Sequence, residues 1–181
     1  MSTKSDRGRE MSTKNLTQCA MLTALALGLS WMESAFPLSA LIPLPGVRLG
    51  LANIVTLFAL YVLGPPSALL VLLSRCSLGA TFAGNMNALI FSVLGGLAAL
   101  VCMTALSRCG RLSVYGVSVG GAAAHQCGQI AAAMLTLGNS APVYYLPVLL
   151  FVSVFTGSVT GLIVALLFRA LNAAKAFPAS R

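Results

Sequence analysis

Glu33, Arg48, Asn53, Arg75, His125 and Gln129 are the side chains of this sequence best suited to holding a charged group, and all sit among apolar neighbours. Two guanidiniums, one imidazole and two amides can donate hydrogen bonds to an anion, and one carboxylate can orient those donors. A guanidinium or carboxylate at the centre of a membrane helix costs about 2.5–3.5 kcal/mol, so each must be paired or line a wet cavity. The chain has 3 acidic residues, and two of them, Asp6 and Glu10, lie in the polar N-terminal stretch. Glu33 is then the one carboxylate available to both Arg48 and Arg75. At least one guanidinium must turn to carbonyls, water, lipid phosphate or an anionic ligand. We therefore expect Arg48, Arg75, Glu33, Asn53, His125 and Gln129 to line a substrate pocket that prefers anions.

Plainer readings stand beside this one. Arg48 can snorkel to headgroups at the outer boundary. Arg75 can form a structural bridge with Glu33. His125 and Gln129, four residues apart on one helical face, can hydrogen-bond across to another helix. Asn53 and Thr56 share a face and can do the same. Trp31 suits either an interfacial anchor or an aromatic ligand wall.

Much chemistry is excluded. No G-x-x-x-x-G-K-[ST] loop occurs, and Lys4, Lys14 and Lys175 are all terminal, so ATP is not hydrolysed by a P-loop here. No acidic cluster is present to hold Mg²⁺, a lone histidine is too little for a metal site, and no Ser-His-Asp set is apparent. Cys19, Cys76, Cys102, Cys109 and Cys127 are scattered without a CxxC pair and read mostly as small core residues. The expectation is no catalytic residue, no metal and no cofactor on this chain, which points away from an independent enzyme.

The elements that must position these groups follow from composition. The chain has 181 residues, 58% apolar and 8% charged, with mean hydropathy +0.93. Soluble domains carry about 25% charged residues, so an integral membrane protein is expected. Apolar stretches read as six spans, at about 16–36, 47–63, 67–83, 87–106, 113–137 and 148–171, punctuated by Gly64-Pro65-Pro66, Gly84-Asn85 and Pro142. The fold class is thus an all-α, six-helix transmembrane bundle over 16–171, with polar tails at 1–15 and 172–181. MSTK occurs at 1–4 and again at 11–14, leaving Met1 and Met11 open as starts, and no cleaved leader is expected.

The net charge of +8 is concentrated at span ends: Lys4, Arg7, Arg9 and Lys14, then Arg108 and Arg111, then Arg169, Lys175 and Arg181. This is the positive-inside signal of a multi-pass protein in a bacterial-type plasma membrane with both termini cytoplasmic, and it argues against nucleic acid as the partner. Loops 37–46, 84–86 and 138–147 then face outward, and the polar groups above converge on the outer half.

Small residues recur at four-residue spacing: Ala20 and Ala24 in span 1, Gly116, Gly120, Ala124 and Gly128 in span 5, and Gly157 and Gly161 in span 6. Such spacing lets helix backbones approach closely, and in spans 5 and 6 it reads as packing within the bundle.

The stretch PGVRLGLANIVTLFALYVLGP (45–65), with LSWMES (29–34), GVSVGGAAAHQCGQ (116–129) and YYLPVL (144–149), resembles the membrane family labelled heptaprenyl diphosphate synthase component I, also called the Gx transporter family. That family is similar to the substrate-binding S components of energy-coupling-factor (ECF) transporters. The resemblance implies a six-helix protein with an outward-facing site capped by loop 37–46. Ala20 and Ala24 would dock on a membrane coupling subunit driven by two ATPases, so ATP would be bound by partner subunits. The synthase label implies instead a noncatalytic membrane partner of a soluble, aspartate-rich prenyltransferase in menaquinone-tail synthesis. The expected function is capture of a small, anionic molecule for uptake, with the synthase subunit as the alternative; membrane lipid is a partner in both.

Overall fold

The computed structural model describes residues 13–34 and 48–173. The expected cap at 37–46 and most of both polar tails lie outside those residues. The described chain is all-α: α1 (Thr13–Ser34), α2 (Asn53–Leu63), α3 (Pro65–Ala83), α4 (Met86–Arg108), α5 (Val114–Leu137) and α6 (Leu146–Ala173), with a 3-10 turn at Ala141–Tyr145 leading into α6.

Local sequence sets the boundaries. Gly64 takes φ +84° between α2 and α3, and Pro65-Pro66 occupies the first turn of α3, where a missing N–H costs nothing. Gly84 closes α3 in the left-handed conformation, and the Asn85 side chain then caps α4 by accepting from the Asn87 N–H at 3.0 Å. Ser113 caps α5, and Gly138 ends it, again left-handed.

The expected second span differs in its first third. Residues 48–50 have no regular structure, 51–52 form a turn, and helix begins only at Asn53. The 11 residues of α2 rise about 16 Å, half of a bilayer's hydrocarbon core. By contrast α3, α4 and the stretch Ala141–Ala173 are long and apolar enough to cross a membrane.

Successive helices alternate in direction, so one end of the bundle collects the C-terminal ends of α1, α3 and α5 and the N-terminal ends of α2, α4 and α6. The opposite end holds a dry core of Leu57, Leu60, Leu72, Leu100, Met103, Val117 and Val164. The first end buries Glu33, Asn53, Arg75, Ser92, His125, Gln126 and Gln129. Large apolar side chains meanwhile point outward; Phe151 is 80% exposed whereas Gln129 is 0% exposed.

Packing is tightest along α4, α5 and α6. The glycines explain why: a Cβ at Gly128 would stand 2.5 Å from the Leu94 carbonyl oxygen and 2.8 Å from the Gly95 Cα, and one at Gly157 would stand 2.7 Å from the Val119 Cα. These are backbone atoms that cannot swing aside. Spans 5 and 6 thus use their small residues inside the bundle. Gly28 on α1 is the contrast, with nothing within 4 Å of its Cβ position. Gly128→Val is expected to destabilise the fold by about 1–3 kcal/mol or more through overpacking. Gly28→Ala should leave the melting temperature in detergent unchanged, and thermal unfolding of both variants checks the contrast.

Candidate functional site

The site is built around four residues of non-helical backbone. Arg48, Gly50 and Leu51 expose N–H groups that no helix satisfies, inside a bundle where a bare amide costs several kcal/mol. Side chains from two helices meet them. The Glu33 carboxylate, on the last turn of α1, accepts from the Gly50 N–H at 2.7 Å and from the Leu51 N–H at 3.1 Å, one oxygen each. Gln129 of α5 accepts the Arg48 N–H through Oε1 at 3.1 Å. Gln126, one turn earlier, donates to the Arg48 carbonyl at 3.5 Å.

These contacts fix the next layer. With Oε1 of Gln129 facing Arg48, its Nε2 faces His125 Nε2 at 3.1 Å and can only donate. His125 Nε2 is therefore the acceptor, and the neutral ring carries its proton on Nδ1. Gly50 is required beneath that ring: its φ is +84°, and a Cβ would lie 2.9 Å from Asn53 Nδ2 and 3.0 Å from His125 Cδ2.

Glu33, His125 and Gln129 thus come together as a scaffold for the 48–51 backbone. His125 and Gln129 bond to each other within α5, and Gln129 reaches the 48–51 segment rather than another helix. Thr56 turns back to the Ala52 carbonyl at 3.5 Å, and Asn53 Oδ1 is buried without a partner among the described residues. Gln126 belongs to the same scaffold; its position three residues before Gln129 is the signal for it in the sequence.

The guanidiniums are left over. Arg75 is 7% exposed and its Nη1 donates to Ser30 Oγ at 3.4 Å, a weak bond, while Nε has no partner among the described residues. It makes no hydrogen bond to Glu33, whose two oxygens are already engaged. Gly96 leaves room for it against α4: a Cβ there would lie 3.4 Å from Arg75 Nη2. The Arg48 side chain borders three spaces. One is a cavity of about 620 Å³ between α1 and α3, lined by Leu27, Gly28, Ser30, Trp31, Phe82 and Gly79 among others. A recess of about 10 Å³ is lined by Ser30, Arg75, Ser92 and Gly79. The third, of about 270 Å³, runs past Asn87 and Phe91 to Thr136. Trp31, 78% exposed, is thus part of a cavity wall. Ala20 and Ala24 lie on the exposed side of α1, away from this site. Among the described residues, no three His, Cys, Asp or Glu side chains come together as a metal site would need.

Among the described residues, fold and site together define an all-helical bundle with an inward-turned polar end, two guanidiniums on a small recess and one of them, Arg48, also on a mostly apolar cavity. The chain belongs to the heptaprenyl diphosphate synthase component I family, whose sequence model matches residues 22–167. No curated protein and no solved structure matches it.

Glu33→Gln replaces one acceptor oxygen with a donor and leaves the Gly50 or Leu51 N–H unmet. The cost of a buried unsatisfied donor is about 1–3 kcal/mol. A lowered melting temperature and faster exchange of the 50–51 amides are expected, read by thermal unfolding and hydrogen–deuterium exchange.

Proposed function

We propose that this protein is a noncatalytic, membrane-embedded subunit of the heptaprenyl diphosphate synthase system that holds an anionic small molecule beside Arg48 and Arg75. The carrying observation is the pair of guanidiniums that border one recess, with a single carboxylate nearby whose oxygens accept from backbone amides. Membrane residence is supported by three span-capable helices and by apolar side chains outside and polar ones inside. The positive-inside pattern supports a bacterial-type plasma membrane with both termini cytoplasmic. In this role Glu33, Asn53, His125 and Gln129 shape the floor of the site, and the chemistry of chain elongation belongs to a soluble, aspartate-rich partner.

One observation favours a second reading, an S-component-like subunit for uptake. With cytoplasmic termini, the Arg48 end of the bundle faces outward, away from a cytoplasmic prenyltransferase. Ala20 and Ala24 are exposed on α1, where a coupling subunit with its ATPases would dock.

Arg48→Ala and Arg75→Ala are each expected to weaken binding of an anionic ligand about 10–100-fold, the equivalent of a lost charge-assisted hydrogen bond of about 1.5–3 kcal/mol. Unchanged affinity in both variants, measured with purified protein, would remove the anion site. A mild-detergent pull-down separates the two readings: a prenyltransferase in the eluate supports the synthase subunit, whereas a coupling subunit with paired ATPases supports uptake. Under uptake, Ala20→Leu with Ala24→Leu abolishes energised transport and spares binding.

A further inference from the structure

A further hollow lies at the end of the bundle opposite Arg48, between α3 and α4. It is an open groove of about 630 Å³, running from Leu97 and Val101 to Arg108 on α4 and facing Pro65 and Leu69 on α3. It shares no residue with the three spaces at the Arg48 end. Val101 is 68% exposed and Leu69 38%, so the groove opens sideways to the surroundings of the bundle.

Its walls offer little polarity before Arg108. Pro65 and Pro66 have no N–H, so the first two residues of α3 bring no backbone donor to it. The Thr104 hydroxyl is turned back to the Leu100 carbonyl at 2.7 Å. Arg108, exposed in the last turn of α4, is the one charged side chain on the groove. The same end of the bundle carries Lys14 of α1, Arg111 after α4 and Arg169 of α6. Among the described residues the single carboxylate is Glu33, at the other end, so no described acid answers this charge. Length adds a constraint. Leu97 and Arg108 stand about three turns apart, about 16 Å along α4, and one leaflet's half of the hydrocarbon core is about 15 Å deep.

We infer that the groove holds one anionic phospholipid of the leaflet at this end, its phosphodiester beside the Arg108 guanidinium and an acyl chain along Leu69, Leu97 and Val101. A guanidinium fork takes two phosphate oxygens at once. A zwitterionic head would bring its own ammonium to an end that already carries positive side chains, so phosphatidylglycerol is favoured over phosphatidylcholine. A helix of another chain fits less well: no two small residues four apart line the groove, and that spacing is what lets helix backbones approach. This site depends on the membrane residence proposed above and not on what the Arg48 end binds.

Native mass spectrometry tests it on the full-length protein, released from micelles holding dioleoyl phosphatidylglycerol and dioleoyl phosphatidylcholine in equal amounts. An Arg48→Gln background keeps anions drawn to the far end out of the count. One phosphatidylglycerol per chain, retained about tenfold or more over phosphatidylcholine, is the expected result. Arg108→Gln should cut that preference about fivefold or more, whereas Arg169→Gln, outside the groove, should change it less than about twofold. Ala105→Trp fills the groove without altering charge and should weaken phosphatidylglycerol about tenfold. Ala105 and Arg108 are both exposed, so neither substitution disturbs the packed interior.

Equal retention of the two lipids overturns the inference. So does an Arg169→Gln loss as large as that of Arg108→Gln, which marks diffuse attraction to a basic end. An Ala105→Trp variant that keeps its lipid overturns it too, as does a dimer that this substitution dissolves, which gives the groove to a second copy of the chain. Alkaline washing of native membranes separates the two failures. Protein released by the wash removes membrane residence, whereas protein retained without a lipid preference removes the groove site alone.

Discussion

A short run of backbone that is neither helix nor loop surface must find hydrogen bonds inside the bundle, and the polar end of the protein is arranged around that need. Side chains from α1 and α5 supply those bonds. Glu33 answers two N–H groups and Gln129 one, while Gln126 answers a carbonyl. The carboxylate also sits near the N-terminal end of α2, where the helix dipole favours a negative charge. Once Glu33 is engaged in this way, the chain has no further described carboxylate to neutralise Arg75 or Arg48. The excess positive charge of the site follows from two guanidiniums facing one carboxylate, whose oxygens accept from the backbone rather than from either guanidinium.

Much of this could be read from residue types alone. The helices follow from apolar runs broken by Gly64-Pro65-Pro66, by Gly84-Asn85 and by Gly138, because those residues impose backbone geometry locally. The shortage of acids gave the leftover guanidinium by simple counting. The delayed start of α2 was not legible, because VRLGLAN has no helix breaker except Gly50, and a single glycine inside an apolar stretch is usually tolerated. What displaces the helix there is tertiary: acceptors from α1 and α5 that offer the backbone an alternative. For the same reason residue types could place Glu33 and Gln129 in the site without revealing whether they face a ligand or the chain itself.

The bundle is also uneven in how firmly it is assembled. On α4, α5 and α6, glycines let one helix rest on the backbone of the next, at Gly128 against Leu94 and Gly157 against Val119. Backbone-to-backbone contact of this kind leaves no compressible side chain between helices. Between α1 and α3 the reverse holds. Gly28 meets nothing, Gly79 meets only the Leu27 side chain, and a large cavity intervenes. Close packing thus gathers in α4, α5 and α6, and open space lies between α1 and α3, with Arg48 bordering it.

The 48–51 segment joins those two regions through its hydrogen bonds. Glu33 grips it from α1 at Gly50 and Leu51, and Gln129 grips it from α5 at Arg48. It works as a tie rod between the two helices. Three hydrogen bonds thus join α1 to α5, and the His125 ring, set over Gly50 and bonded to Gln129, belongs to the same connection, made through backbone that is not helical.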